Sequence, residues 1–565
     1  MKSRLVLLAI LVVITVAGIV YVYKSPQEAS MLLTNGIVYT VNDDQPTAEA
    51  IAISGDRIVG VGTNAEMLSS FKPERVLDLK GKPVFPGFID SHAHMENLGA
   101  FLMNLNLVGT NSIEEVQKLV AQRSKGTHSG SWIRGRGWDQ NRWPLKVFPA
   151  RESLDEVAGG LPVYLTRVDG HVVWVSTRVL ELAGITRETP DPPGGRIVRD
   201  SNGEPTGIFI DNAIDSLDAR IPEPSLDERT EAVDRAVKTC IEMGLTGVHD
   251  MGVDLAGIEI YRQLIARNRF PFQVYIAING VGKAWEHYLE TGPEIGGMKG
   301  RMTVRAIKIY SDGALGSRGA ALIEPYSDDK SNRGLTLTST ETMSAVARSA
   351  LENGFQMCTH AIGDRANHIV LNVYENTLNS NEIKRKDARF RVEHAQVIAL
   401  DDIPRFQKIG VLPVMQQTHC TSDMYWAEAR LGPKRVKGAY AWRSLLEHGS
   451  IIPGGSDFPV ESPNPLWGFY AAVTRKDHSG WPDGGWHAEQ VMTRDEALKS
   501  FTIWAAYAAF EEGIKGSIEK GKLADLVVLS DDIMKITPEK VLQTNVETTI
   551  IRGEVVFSRD VGAPQ

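Results

Sequence analysis

Eight short apolar runs constrain this chain more than any other feature of its sequence. They read VFPGFID (84–90), LTGVHD (245–250), FQVYIAI (272–278), VRAIKIY (304–310), FQMCTH (355–360), FRVEHA (390–395), VLPVMQ (411–416) and SIIPGGSD (450–457). Stretches of helical periodicity lie between several of them, at 226–243, 254–268, 340–353, 364–379 and 401–409. Apolar strands alternating with helices indicate buried parallel strands, because each crossover lays a helix over the sheet. Eight such strands predict a (β/α)8 barrel of the TIM type, spanning 84–514. The interval after the first run is far longer than a βα connection needs, so an inserted subdomain is expected at about 100–244.

The flanks have a different texture. LLTNGIVYTV and AIAISGDRIVGVG carry apolar runs around the turn signals Asn35-Gly36 and Gly55-Asp56. Near the other end, ADLVVLS (524–530) and TTIIRGEVVFS (548–558) read the same way, the second turning at Arg552-Gly553. Residues 30–83 and 515–558 are therefore expected to pair into one composite β-sandwich module beside the barrel.

Composition removes several functional classes. Hydrophobic residues make up 42% of the 565 and charged residues 23%, the range of an ordinary globular chain. The net charge is −9 and the basic residues are dispersed, so a nucleic-acid partner has no support. Cys240, Cys358 and Cys420 are too few and too widely spaced for a disulfide framework or a zinc–thiolate site, and read as buried thiols. Lys2 and Arg4 precede an apolar run from Leu5 to Tyr23, closed by Lys24. As a helix this run would span about 28 Å, close to a bilayer core. Residues 1–24 are expected to be an uncleaved membrane anchor or, alternatively, a cleaved signal. The charge bias would place the catalytic body outside the cytoplasm, periplasmic or extracellular, or secreted after cleavage.

The ends of the apolar runs carry the chemistry. The first closes with Asp90-Ser91-His92-Ala93-His94, the fourth holds Lys308, the fifth ends at His360, the sixth holds His394 and the eighth ends at Asp457. Carboxyl ends of barrel strands are where active sites form. Residues i and i+2 on a strand share a face, so His92 and His94 aim at one point. Imidazoles suit zinc and similar divalent ions. His360 and His394 are placed to complete a second set, and Asp457 to bind a metal and take a proton from water. Any one of these residues alone has a bland explanation. Five strand ends in agreement mark a site.

The motifs PGFIDSHAH (86–94), IKIYSDGALGSRGA (307–320), HAIGDRA (360–366), RVEHAQ (391–396), SDFPVESPNPL (456–466) and KGKLADLVVL (520–529) are long and occur in this order. Through them the chain resembles the amidohydrolase superfamily and, within it, the amidohydrolase family 3 group, the branch that includes N-substituted formamide deformylase. The resemblance covers nearly everything from about residue 30 to 558. It implies a barrel with a β module built from both ends of the chain. It also implies one or two divalent ions, zinc first among them, with His92, His94 and Asp457 on the first and His360 and His394 on the second. Lys308 matches the position where relatives carry a carboxylated lysine that bridges the metals. Asp457 would act as general base and then as proton donor to the leaving amine, while metal-activated water attacks a carbonyl.

On the substrate side, GRGWDQNRWP (135–144) and RVDGHVVWVS (167–176) match family-typical segments and offer Trp138, Asp139 and His171. QQTHCTSDMYW (416–426) offers His419 and Asp423, with Gln417 where the family often has proline. Asp312 and Arg318 either orient substrate or tie down their loop. Arg391 and Glu393 precede His394 in the chain and are expected to support the ligands from behind. The function implied is hydrolysis of a non-peptide, amide-type C–N bond in a small molecule. Deamination or ester cleavage on the same scaffold is the alternative, and a non-catalytic, membrane-tethered binding protein is disfavoured because none of the six ligand positions is lost. No feature of the sequence sets an oligomeric state.

Overall fold

A computed structural model of the protein describes residues 26–127, 131–140, 143–167, 172–192, 195–221, 223–380 and 387–559. The chain divides into two compact units, residues 96–236 and the remainder.

The larger unit holds the barrel. Its eight parallel strands are Phe88–Ala93, Leu245–Val253, Gln273–Asn279, Met302–Tyr310, Gln356–Ala361, Arg391–His394, Leu412–Gln416 and Gly454–Gly455, paired in that order. The eighth closes onto the first through Asp457 N–H to His92 C=O at 2.8 Å and His94 N–H to Phe458 C=O at 3.1 Å. Each strand falls within or overlaps one of the eight apolar runs. Inward positions such as Met251, Tyr275, Ala277, Ala306 and Cys358 pack into one buried cluster. The expected helices form at Leu226–Glu242, Leu255–Ala266, Thr340–Asn353, Asp364–Asn379 and Ile403–Ile409. Their limits have local causes. Asp254 and Ser339 cap two of them by accepting the N–H of Gly257 and Thr342. Gly354 ends the second of these and Gly410 ends Ile403–Ile409, both in the left-handed conformation, where glycine carries no Cβ penalty.

The first run divides where a continuous strand was expected. Pro83–Pro86 joins the β module, and the barrel strand begins only at Phe88. Gly87 makes the changeover, because a Cβ there would lie 2.3 Å from the Thr246 side chain. The module itself has two sheets. One orders Arg57–Gly62, Ala50–Ser54, Gln27–Thr34 and Phe71–Asp78; the other orders Glu554–Ser558, Val546–Ile551, Leu526–Leu529, Pro83–Pro86, Ile37–Tyr39 and Thr47–Ala48. Leu33, Ile51, Ile53, Val84, Leu526 and Ile550 share one core between them. The turns at Gly55-Asp56 and Arg552-Gly553 close hairpins. The one at Asn35-Gly36 does not, since its flanking strands lie in different sheets.

The smaller unit contains a six-stranded sheet ordered Gly195–Arg199, Pro205–Asp211, Val172–Val175, Val163–Arg167, Ile133–Trp138 and Leu105–Asn106. Trp138 stacks on Trp143 at its core and Trp174 meets both edge-on, with centroids 5.8–6.3 Å apart.

Cys240, Cys358 and Cys420 are buried and unpaired. The expected anchor, residues 5–23, lies outside the described residues. Among the described residues no helix is long and apolar enough to cross a membrane. The expectation of a membrane-anchored, outward-facing enzyme is therefore corrected: nothing in the described fold supports it.

Candidate metal centre

His92 and His94 lie two residues apart at the end of the first strand, and both face Asp457 from the segment after the eighth. Asp457 Oδ1 stands 3.0 Å from His94 Nε2 and 3.6 Å from His92 Nε2. The His92 Nε2 atom also lies 3.1 Å from the Lys308 amine. The His394 ring is 4.8 Å from that of His92 and 4.5 Å from that of His360. All six expected ligand positions thus meet at the carboxyl end of the barrel. Two groups of three place their donor atoms within 4.8 Å of one another: His92, His94 and Asp457, and His394, His419 and Asp457.

His419 was expected to face substrate. It instead stacks on His394 at 5.9 Å and points Nε2 at Asp457 Oδ2, 3.9 Å away. It sits on the helix Gln417–Asp423 that follows the seventh strand. His360 falls in neither group, and its Nε2 lies 3.6 Å from Asp312 Oδ1. The Nε2 atoms of His360 and His419 are buried with no hydrogen-bond partner among the described residues. A buried polar atom without a partner is costly, and a metal ion would satisfy both. The donor set of imidazoles, carboxylate and buried amine fits a divalent ion of the zinc class.

The supports are built from the same strands. His92 Nδ1 bonds to Glu393 Oε2 at 2.5 Å, which leaves Nε2 directed into the centre. Glu393 is paired with Arg391 at 2.7 Å, and Arg391 also donates to the Ser91 carbonyl at 2.6 Å and contacts His249 Nδ1 at 3.0 Å. Arg391 and Glu393, expected as supports behind the ligands, stand against His92. His394 Nδ1 bonds to Gln416 Oε1 at 2.7 Å. Such outer partners fix the tautomer and ring orientation of a ligating histidine. Asp90 accepts from the Ser456 hydroxyl at 2.6 Å and from the His92 N–H at 3.0 Å, locking the first strand to the eighth. His394 and Asp457 both adopt positive φ, 73° and 58°, which residues with a Cβ rarely do. Strain of about 1–3 kcal/mol per residue clusters at functional sites.

Electrostatics favour ligand-competent forms. Burial, then the Lys308 charge, push His92 down to about 4 and His360 down to about 3. Burial and the neighbouring histidines also push His394 well below the ordinary imidazole range. Burial lowers Lys308 from its ordinary value. Burial would raise Asp457, but the hydrogen bond from His94 and the charges of His92, His394 and His419 hold it well below the usual carboxylate range. Glu393 is likewise held low against burial by Arg391 and His92.

The remaining substrate-side expectations separate. Trp138 is fully buried and donates to the Leu165 carbonyl at 2.8 Å, so it is core of the smaller unit rather than a substrate contact. Asp139 is half-buried and lies 3.4 Å from Arg167. His171 lies outside the described residues. Asp312 is buried and accepts the N–H groups of Ala321, Ile362 and Gly363 at 2.8–2.9 Å. Arg318 pairs with Asp328 at 2.9 Å. Both tie down the loop after the fourth strand. Gln416, His249 and Asp90 were not singled out from sequence. The inward period-2 positions of their strands are the signal that would have found Gln416 and His249.

Comparison with known proteins agrees with this geometry. The profile of the amidohydrolase family matches residues 75–557. A putative amidohydrolase of Bacillus subtilis is 33% identical over 93% of this chain and 98% of its own. The N-substituted formamide deformylase of Arthrobacter pascens is 28% identical over 94% of this chain and 99% of its own. The crystal structure of an uncharacterized metal-dependent hydrolase from Pyrococcus horikoshii superposes with a TM-score of 0.74 at 26% identity, covering 90% of this chain and 99% of that one.

Proposed function

The chain belongs to the amidohydrolase family and is a metal-dependent hydrolase, and on that footing we propose that it cleaves a non-peptide, amide-type C–N bond in a small molecule. The observation that carries this reading is the pair of donor groups that share Asp457, one completed by His92 and His94 and the other by His394 and His419. The similarity to N-substituted formamide deformylase supports an amide as the bond cut.

His92, His94 and Asp457 would hold one divalent ion, most suitably zinc. His394, with His419 or His360, would hold a second, and Lys308 as a carbamate would add an anionic ligand. Burial of the Lys308 amine favours the neutral form that reacts with carbon dioxide. When bound, such ions lower the pKa of water and polarise a carbonyl. The chain's own residues do the rest. Glu393 and Gln416 keep the rings of His92 and His394 aimed. Asp457, ionised at neutral pH, accepts the proton of the attacking water and passes it to the leaving nitrogen as the C–N bond breaks.

The test is metal analysis joined to a substrate panel. Zinc-loaded protein is expected to hold one to two ions per chain and to release amine from members of an N-acyl, N-formyl and cyclic amide series. His92→Ala should lose zinc and amine release together. Full activity in that variant, or ester cleavage without amide cleavage in the parent, would refute the assignment.

A further inference from the structure

His249, on the second strand, is fully buried and belongs to neither donor group at Asp457. Side chains two residues apart on a strand share a face, so His249 looks inward with Met251. Its register partner on the third strand is Tyr275, and the two rings stand 5.3 Å apart. Tyr275 donates its hydroxyl to Gln356 Oε1 at 3.0 Å, and Gln356 donates to the Ala508 carbonyl at 2.9 Å and the Arg389 carbonyl at 2.6 Å. The imidazole is thus backed by a side chain that is itself pinned in place.

His249 Nδ1 lies 3.0 Å from Arg391 Nη1. A guanidinium has five N–H donors and no acceptor. Nδ1 must therefore accept, and the neutral ring carries its proton on Nε2. Burial, then the Arg391 and Lys515 charges, hold His249 well below the ordinary imidazole range, which keeps the ring neutral. Nε2 is then a buried donor with no hydrogen-bond partner among the described residues. A stranded buried donor is costly, and an apolar side chain would avoid it. What the imidazole adds over an apolar side chain is the Nδ1 lone pair, and that lone pair is directed at Arg391.

Arg391 joins three strands. Fully buried, it pairs through Nε with Glu393 on its own strand, the sixth, at 2.7 Å, and donates through Nη2 to the Ser91 carbonyl of the first at 2.6 Å. Nη1 faces His249 of the second. Loss of that contact frees the guanidinium plane to tilt about its pair with Glu393. Glu393 Oε2 is the atom bonded to His92 Nδ1 at 2.5 Å.

We propose that His249 is a positioning residue for the metal centre: as a neutral acceptor it sets the plane of Arg391 and, through Glu393, the aim of His92 Nε2. The proposal rests on the metal centre, not on the identity of the bond cut.

Leucine and asparagine separate the acceptor from mere bulk, because they share one shape and an asparagine Oδ1 falls where His249 Nδ1 stands. Zinc Kd is read by chelator competition, and ligand geometry by the visible absorption of cobalt-substituted protein. His249→Leu is expected to weaken zinc about tenfold and to shift the cobalt bands. His249→Asn is expected to restore both, although it loses the same packing. A merely structural role would lower the thermal midpoints of the two variants without separating their cobalt spectra. Unchanged zinc affinity in His249→Leu, or equal weakening in both variants, would overturn the positioning role. Nitrogen-15 NMR of the histidine-labelled parent tests the tautomer without the leucine variant. The resonances absent from His249→Asn are expected to show a protonated Nε2 and a bare Nδ1 from about pH 5 to 8. A proton on Nδ1, or a charged ring at neutral pH, would overturn the proposal. A parent that takes up neither zinc nor cobalt would count against the metal centre itself and take the proposal with it. A parent that binds both, with no response to either variant, counts against the positioning role alone.

Discussion

Glu393 bears on both the electrostatics and the geometry of the centre. It is fully buried between the Arg391 guanidinium and His92 Nδ1, so it fixes the tautomer of a ligand and balances a buried charge at once. Glu393→Gln keeps the shape and removes the charge. Zinc affinity is expected to fall about tenfold to hundredfold, as happens when such an outer partner is lost. Stability should drop by about 3 kcal/mol, because Arg391 is left buried without its counter-charge. Competition with a chelator and urea unfolding read the two effects separately; unchanged affinity would remove Glu393 from the support of His92. Residues of this kind were half legible in the sequence. His92, His94 and Asp457 stood out only together with Lys308, His360 and His394, because polar, metal-competent side chains recur at five strand ends. Gln416 and His249 did not, because a polar residue inside an apolar run has no partner visible until the barrel closes. His419 was noticed, but its approach to His394 and Asp457 was not. The segment after the seventh strand turns into a helix at Gln417, and that turn brings the ring to His394.

At the scale of elements, one carboxylate ties the loop after the fourth strand to the segment after the fifth. Asp312 collects three backbone N–H groups from two segments, Ala321 on its own loop and Ile362 and Gly363 after the fifth strand. Burial raises it to about 7 even so. Asp312→Ala strands three donors, each worth about 1 kcal/mol or more when left unsatisfied. A loss of about 3 kcal/mol is expected, with amide exchange accelerated at 320–323 and 361–364 before the barrel strands are affected. Exchange that rises uniformly would contradict a local tie. The strands and helices themselves were readable because their periodicities repeat over many residues. Their junctions were not. The run 84–90 looked continuous, and only the closeness of Thr246 to Gly87 explains why the chain changes sheet there. Asn35-Gly36 has a hairpin's sequence, yet the flanking strands find partners in opposite sheets, since the shared core of Leu33 and Val38 is better buried from both sides. Local turn chemistry sets the bend, while long-range packing decides what the bend connects.

For the larger unit as a whole, the question is what joins the two ends of the chain. Asp525 sits at that joint. Its carbonyl accepts the Gly87 N–H at 2.8 Å, where the chain enters the barrel, and its carboxylate accepts the Arg552 N–H at 2.8 Å. Arg552 in turn pairs with Asp56 at 2.6 Å, tying the last hairpin to the first. Burial raises the Asp525 carboxyl to about 6, against the opposing pull of the Arg552 N–H and the charges of Lys515 and Arg552, and Glu511 adds to the rise. In the unfolded chain the same group titrates near 3.8. Between those values the native state holds a proton that the unfolded state has released, so this group's contribution to stability is full below about pH 4 and is lost as pH rises through 6. Asp525→Asn cannot titrate but keeps an acceptor for Arg552. Relative to the parent, the variant should therefore gain stability between pH 4 and pH 7, by up to about 3 kcal/mol for a two-unit shift. Chemical denaturation at both pH values gives the difference directly. A variant whose stability relative to the parent stays constant across that range would show that Asp525 is ionised throughout, and that the Lys515 and Arg552 charges outweigh burial at the joint.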